Sequence, residues 1–384
     1  MRSILVIASL SFLSSPGLAA DYQPVRCTAA KSYVGPALLS PPSDAELEVT
    51  GSLEGDFDAA TIARLQQGAA EALAASKAHA MSVSVARPNR GSWSQVRVAK
   101  AGAPEPERFW WASVGKMATA LIILQLVEEK RLSLQDPVSK FLPGVPNGET
   151  VTVEHLLNHT SGLFSANEDA RVRSSKSGER LSLDQQLAIT RRHGAMFCPG
   201  ERWRYTNTGY SILGAIIERL DRKSYEDAVQ QRLFSKLAPT SLRVIGENDP
   251  AKDVAPLAPT NPDEPRVEPS WPGPAGGIAG RADSMNLFLQ AVLGSRFLSR
   301  ETTRRQFDKL YPMFGSHSYY GLGIMVYAPA GTSDRVIGHS GGAPGVKATT
   351  LWSPAHRAFV SVALTGDGSA EAAANLLLRA LGRP

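Results

Sequence analysis

Ser113 and Lys116 stand three residues apart, in the only Ser-x-x-Lys of the chain. The apolar segment around them predicts a buried helix from Ala112 to Glu129. Residues three apart share one face of a helix, so the amine would lie beside the hydroxyl. Burial favours a neutral amine, which can accept the serine proton. The spacing therefore predicts a nucleophilic serine with a lysine base; the alternative is an exposed helix start with a solvated lysine.

A phenol and an amide occur together in Tyr205-Thr206-Asn207, the only Tyr-x-Asn of the chain. The motif precedes a helix predicted near Tyr210 to Leu220. A tyrosine near a lysine ammonium ionises more easily and can shuttle protons. An asparagine amide both donates and accepts, so it can orient a substrate amide. The alternative is an ordinary loop with a helix cap.

A histidine enters a glycine-rich segment in His339-Ser340-Gly341, the only His-x-Gly of the chain. The segment follows a predicted strand, and Gly341 to Gly345 is predicted as a turn. Glycines let another backbone approach closely, and their N–H groups can face an oxyanion. Considered alone, His339 also fits a hydrogen-bonded structural histidine.

Ser-x-x-Lys, Tyr-x-Asn and His-x-Gly each occur once, and in that order the chain resembles the serine β-lactamase-like family. This family includes class C β-lactamases, D-alanyl-D-alanine carboxypeptidases and related esterases. The resemblance covers about residues 81–382. Four further phrases match as well: Leu156-Leu157-Asn158-His159-Thr160-Ser161-Gly162-Leu163, Pro199-Gly200-Glu201-Arg202-Trp203-Arg204-Tyr205, Gly276-Gly277-Ile278 and Tyr320-Gly321-Leu322-Gly323.

The resemblance implies a role for each residue of the first two motifs. Ser113 would be the acylated nucleophile, and Lys116 its base or electrostatic partner. Tyr205 would protonate the leaving group and activate the deacylating water. Asn207 would orient the substrate amide.

The third motif would bind substrate through His339, Ser340, Gly341 and Gly342. His339 stands where many β-lactamases carry a lysine that binds the substrate carboxylate. A neutral imidazole attracts a carboxylate less than an ammonium does, which argues against efficient hydrolysis of β-lactam antibiotics. The backbone N–H groups of Ser113 and Gly342 would form the oxyanion hole.

The order of predicted elements indicates an α/β (α+β) fold, in which an antiparallel sheet flanked by helices is built from both chain ends. Residues 50–130 and 284–384 would form this sheet domain, and 131–283 an inserted all-helical domain. An N-terminal arm would span 21–49. Strands are predicted at residues 81–86, 95–99, 320–327, 335–339, 346–352 and 359–365.

Residues 1–20 are typical of a secretory signal peptide, with Arg2 ahead of an apolar run and small residues before position 21. We therefore expect an exported protein, periplasmic or extracellular, with no stable membrane anchor after cleavage; the alternative is an N-terminal anchor. Cys27 and Cys198 could then form a disulfide or remain two free thiols. The formal net charge of +5 is spread along the chain, which disfavours nucleic-acid binding.

Three rival motifs point elsewhere. Ser340 also fits a Gly-x-Ser-x-Gly elbow, but a strand pattern follows it where that motif needs a helix. Ser165 and Asn167 offer a second candidate for the middle motif, without a helix signal behind it. His155 and His159 have the spacing of zinc ligands on a helix, but no third ligand is evident and helix packing is the better interpretation.

The sequence thus predicts a serine hydrolase, without metal or cofactor, that forms an acyl-enzyme on amide or ester bonds of a small-molecule or peptide substrate. A D-Ala-D-Ala carboxypeptidase or β-lactamase-related activity is the leading prediction for its function. An esterase or D-amino-acid amidase, and a sensor that binds β-lactams or wall peptides without turnover, are the alternatives. The oligomeric state is not determined by the sequence.

Overall fold

The computed structural model describes residues 22–174, 180–237, 240–247, 249, 251–261, 267–314, 317–329 and 334–384. Within these residues, an eight-stranded antiparallel sheet has the order β2-β1-β11-β10-β9-β8-β7-β6, and a small sheet has the order β3-β5-β4. The strands are β1 Ala80–Arg87, β2 Gly91–Val98, β3 Phe109–Trp110, β4 Arg243–Val244, β5 Ile278–Gly280, β6 Tyr311–Pro312, β7 Ser318–Tyr320, β8 Met325–Tyr327, β9 Val336–Ala343, β10 Val346–Ser353 and β11 Ala358–Thr365.

Helices cover both faces of the large sheet. Helices α1 and α10 pack on one face, and α8 packs on the other. The helices are α1 Ala59–Ser76, α2 Lys116–Glu128, α3 Val153–Leu157, α4 Ala170–Ser174, α5 Leu183–His193, α6 Asn207–Asp221, α7 Tyr225–Arg232, α8 Ala282–Leu293, α9 Arg300–Arg305 and α10 Ala370–Leu381.

The alternating side chains of strand β1 determine which helices pack on each face of the large sheet. Val83 and Val85 point into the apolar layer under α1 and α10. Ser82 and Ser84 point to the other face, where Ser82 Oγ accepts from the Ala282 N–H and Ser84 Oγ accepts from Asn286 Nδ2, both in α8. Because the side-chain period of a strand is two, this sequence fixes which face meets which helix.

The predicted fold class is confirmed, since β1 from near the N-terminus pairs with β11 from near the C-terminus. The segment 131–283 holds helices α3 to α7, and it also carries the short strands β4 and β5. The domain boundaries themselves remain a prediction.

Two predictions for the glycine-rich segments are wrong. Residues 320–327 do not form one strand, because β7 ends at Tyr320, Gly323 takes φ +75° and turns the chain, and β8 begins at Met325. Gly341 to Ala343 belong to β9, and the turn is confined to Pro344 and Gly345. Helix α8 begins at Ala282, with Arg281 at the cap position.

The N-terminal arm is joined to the segment before Tyr205. Cys27 and Cys198 form a disulfide with a Cα–Cα distance of 5.7 Å. Backbone bonds from Val25 N to Ala195 O and from Lys31 N to Pro199 O run beside it. The predicted signal peptide, 1–20, lies outside the described residues. None of the helices found in the described ranges is long and apolar enough to cross a membrane.

Candidate active site

Ser113 lies in a 3₁₀ turn, Ala112–Gly115, that leads directly into α2. Ala112 takes φ +46°, a left-handed conformation that is strained for alanine. Trp111 holds this turn, since its N–H donates to Ile278 O and its indole Nε1 donates to Gly280 O. Ser113 is half-buried, and its N–H stands in the first turn of a helix, where no intrahelical acceptor exists.

Lys116 is completely buried, and its Nζ has three neighbours within hydrogen-bond distance. Ala275 O lies at 2.6 Å, Asn207 Oδ1 at 2.7 Å and Ser113 Oγ at 3.2 Å. Burial lowers the pKa of Lys116 well below its ordinary value. A neutral amine keeps two N–H bonds and one lone pair. The two shorter contacts are to oxygens that can only accept, so the lone pair faces the Ser113 hydroxyl.

Tyr205 lies on the other side of Ser113. Its ring centroid lies 4.7 Å from Lys116 Nζ, and its phenol interacts with the Ser113 side chain. Burial raises the pKa of Tyr205, which is opposite to the direction expected from a nearby ammonium. The reason is that Lys116 itself is desolvated and favours the neutral form. Tyr205 is therefore a protonated phenol, able to donate a proton.

Asn207 begins α6, which Thr206 caps by accepting from the Gly209 N–H. The Asn207 amide is held at both ends, because Oδ1 accepts from Lys116 and Nδ2 donates to Asn167 Oδ1 at 3.1 Å. The Asn207 N–H also donates to Ser165 Oγ at 2.9 Å. Ser165 and Asn167 form the rival middle motif of the sequence. In the structure both of them hydrogen-bond to Asn207 of the Tyr-x-Asn motif.

His339 lies on β9 and is completely buried. Its Nδ1 lies 2.6 Å from Ser340 O, which can only accept, so Nδ1 carries the proton and Nε2 accepts from Tyr320 OH at 3.0 Å. Burial, with the nearby Lys116, lowers the pKa of His339 to about 3. The imidazole is therefore neutral, and both nitrogens have protein partners.

Gly341 brings β9 against the turn that carries Ser113. A Cβ on Gly341 would lie 2.7 Å from Ser113 N and 3.0 Å from Val114 N, and it would also meet Trp111 O. Strand β8 pairs with β9 from Val336 to Gly338, so the following stretch of the β9 edge faces the turn that carries Ser113. The half-buried Gly342 lies on this stretch.

Comparison with known proteins identifies the family. The Beta-lactamase family model matches residues 64–383. The chain belongs to this family. Penicillin-binding protein 4* of Bacillus subtilis (strain 168) is 30% identical over 276 residues, which are 65% of this chain and 58% of that protein. The chain thus spans less than two thirds of the length of this relative.

Solved structures share the fold of this β-lactamase-family protein. A D-stereospecific amidohydrolase from Streptomyces sp. is 26% identical with a TM-score of 0.71, covering 82% of this chain and 97% of that one. An octameric penicillin-binding protein homologue from Pyrococcus abyssi is 26% identical with a TM-score of 0.71, covering 83% and 77%. D-amino acid amidase from Ochrobactrum anthropi SV3 is 21% identical with a TM-score of 0.73, covering 83% and 98%, and shows the fold alone.

His159 is a site residue that the sequence-based residue roles did not include. Its Nδ1 accepts from the Thr206 N–H at 3.2 Å, and its ring centroid lies 4.2 Å from that of Tyr205. It therefore positions the whole Tyr-x-Asn segment of this β-lactamase-family protein. The sequence signal that could have identified His159 as a site residue is its position in the matched phrase from Leu156 to Leu163.

The rival motifs have other contacts in the structure. His155 closes the capping box of α3 with Thr152. The Ser340 side chain bonds to Tyr327 and Thr349 on the sheet face under α10, where Glu371 also lies. This agrees with the strand, and not a helix, that continues after Ser340.

Proposed function

We propose that this protein is an exported serine hydrolase that cleaves amide or ester bonds through an acyl-Ser113 intermediate. The observation that carries the proposal is the buried Lys116 amine. Its two shorter contacts are to pure acceptors, and its third neighbour is Ser113 Oγ. An amine held in this way is set up to take the serine proton.

Acylation begins when the Ser113 hydroxyl gives its proton to Lys116 Nζ and Oγ bonds to the substrate carbonyl carbon. The developing oxyanion accepts from the N–H groups of Ser113 and Gly342. As the tetrahedral intermediate collapses, the C–N or C–O bond breaks and Tyr205 gives its phenolic proton to the leaving group. Lys116 returns its proton to Tyr205, which restores both groups.

Deacylation reverses the roles. A water molecule attacks the ester carbon and gives its proton to Tyr205, which passes its own phenolic proton to the neutral amine of Lys116. The C–Oγ bond then breaks and Ser113 regains its proton. No cofactor or metal enters this sequence of steps.

A D-Ala-D-Ala carboxypeptidase or β-lactamase-related activity is the leading proposal for the substrate. The support is membership of the family together with the ordered motifs and the similarity to penicillin-binding proteins. The substrate would be a small molecule or peptide acting in the periplasm or outside the cell. We propose no nucleic-acid partner.

An amidase or esterase activity is the second candidate, and His339 favours it. A neutral imidazole with both nitrogens engaged gives a substrate carboxylate no cation to bind. A substrate with a neutral terminus needs no such cation, so the neutral His339 would not weaken its binding. Two similar structures are named as a D-stereospecific amidohydrolase and a D-amino acid amidase, which makes D-amino acid amides natural test substrates. A sensor without turnover is the remaining alternative.

The experiment is intact-mass spectrometry of the purified protein with benzylpenicillin, followed over time beside Ser113→Ala. An adduct on the wild type alone supports acylation of Ser113. A short adduct lifetime indicates a β-lactamase, and a long one a carboxypeptidase or sensor. Without an adduct, D-alaninamide and p-nitrophenyl butyrate are tested next, and turnover by Ser113→Ala equal to the wild type would contradict the proposed function.

A further inference from the structure

The direction of the Lys116 lone pair depends on which end of the Asn207 amide faces it. In the structure Asn207 Oδ1 lies 2.7 Å from Lys116 Nζ, and Asn207 Nδ2 points to Asn167. An amide has one accepting end and one donating end, and a half-turn of the side chain exchanges them. A neutral lysine amine both donates and accepts, so it tolerates either end. The observed orientation therefore needs a cause outside Lys116.

The opposite orientation of the amide would remove the base. With Nδ2 of Asn207 toward Lys116, the lone pair of the amine would accept from that N–H group. The amine would then turn one of its own N–H bonds to Ser113 Oγ. The Ser113 proton would have no acceptor there, so attack on the substrate would lose its general base.

Asn167 and Ser165 hold the amide in the productive orientation. Asn167 Oδ1 accepts from Asn207 Nδ2 at 3.1 Å and from Ser165 Oγ at 2.6 Å. A separation of 2.6 Å is usual for O–H···O and short for N–H···O, so the oxygen of Asn167 is the atom that faces Ser165. Ser165 Oγ in turn accepts from the Asn207 N–H at 2.9 Å, which closes a ring of hydrogen bonds. If the Asn207 amide turned over, its oxygen would face the oxygen of Asn167, with no proton between two acceptors.

The segment that carries Asn167 is held on both sides, although the Asn167 side chain is exposed. Before it, the Ala166 N–H donates to Thr208 Oγ1 of α6 at 2.9 Å. After it, the buried Asp169 pairs with Arg192 at 2.6 Å. These contacts fix the backbone around Asn167, so its side-chain oxygen has a defined position beside α6.

We propose that Asn167 is a positioning residue, which fixes the orientation of the Asn207 amide and thereby the direction of the Lys116 lone pair. This inference rests on the proposed function, because it assumes that Lys116 is the base for Ser113. A residue of this kind acts on the rate and not on substrate affinity, since the lone pair is used only when the proton moves.

The test uses p-nitrophenyl butyrate, which has no amide group for Asn167 to recognise, so a change in kcat reports the base. Asn167→Leu keeps a side chain of similar size without an acceptor. It is expected to lower kcat about tenfold with KM unchanged, a fraction of the loss from removing an acid–base group. The matched control is Asn375→Leu, the same change at a half-buried position of α10, and kcat should not change there.

Asn167→Asp supplies the readout that a merely structural role would not move. A carboxylate accepts from both Ser165 and Asn207, so this variant should restore most of kcat at alkaline pH. Its negative charge favours the ammonium form of Lys116, so activity on the acid side should be lost at a higher pH than in the wild type. The other titratable groups facing Lys116 are the same in both proteins: Tyr205, Tyr210, His159 and His339.

The outcomes separate this inference from the proposed function. If Ser113→Ala is inactive and Asn167→Leu keeps its kcat or changes only KM, Asn167 has no positioning role. If Asn167→Asp restores kcat at no pH, acceptance by Asn167 is not what matters. If Ser113→Ala is as active as the wild type, the proposed function fails and this inference fails with it. Should Asn167→Leu not fold, Asn167→Asp decides, and a pH profile identical to the wild type overturns the inference.

Discussion

Gly341→Ala tests whether the contact between β9 and the turn that carries Ser113 is needed for the proposed catalysis. The added Cβ would lie 2.7 Å from Ser113 N and would also meet Trp111 O and Val114 N, all of them backbone atoms. Backbone cannot rotate away as a side chain can. Strand and turn must therefore separate by about 0.7 Å for the Ser113 N contact to reach an ordinary 3.4 Å, and by more for Trp111 O, which is closer.

A displacement of this size acts on the two groups that would bind the oxyanion, the N–H of Ser113 and that of Gly342. Misplacement by about 1 Å, like the loss of one oxyanion donor, costs on the order of 10²-fold in rate. We therefore expect kcat/KM for p-nitrophenyl butyrate to fall about 10²-fold in Gly341→Ala. Crowding of this kind is also expected to lower the free energy of unfolding by about 1–3 kcal/mol.

The assay pairs steady-state kinetics with urea unfolding, so that activity is compared per folded molecule. Gly68→Ala is the control, since its Cβ would crowd Ala380 at 3.1 Å between α1 and α10, away from the site. We expect this control to keep its activity. A folded Gly341→Ala protein with kcat/KM within about threefold of the wild type would refute the reasoning, because it would show that oxyanion stabilisation does not depend on this contact.

Three further predictions follow from the site and the arm. Lys116→Ala and Tyr205→Phe should each lower kcat on an amide substrate about 10²-fold, and near-normal rates in both would remove them from the mechanism. Activity needs neutral Lys116, so it should fall as the pH drops through the lowered pKa of that amine; Lys116→Arg, charged at every pH, should be inactive, and measurable turnover by it would argue against the lysine base. Replacing Cys27 and Cys198 by serine should lower the free energy of unfolding in urea by about 2–5 kcal/mol, and an unchanged midpoint would show that the disulfide adds no stability.

The motifs and most elements follow from local sequence. The alternation of β1 predicts a strand, and Thr152 and Ser369 mark the starts of α3 and α10 because their side chains can cap a helix. The order of the predicted strands and helices was sufficient to predict the fold class, and the order of the three motifs gave the family resemblance. Features of this kind depend on residues close together in the chain.

The states of the site residues could not be predicted in the same way. Whether Tyr205 ionises depends on its burial and on the charge of Lys116, and both follow from packing among distant segments. Gly341 looked like a turn residue because only the tertiary structure shows Ser113 N where its side chain would be. The contact between Asn167 and Asn207 joins two loops 40 residues apart.

The sequence by itself determined which residues could do chemistry and in which fold they would meet. It did so because a helix or strand pattern and a three-residue motif are local properties. The tertiary structure decided that Cys27 joins Cys198 and that His339 is buried and neutral. Distance, desolvation and hydrogen-bond partners arise only when segments far apart in the chain pack together, and these quantities set the protonation of the site.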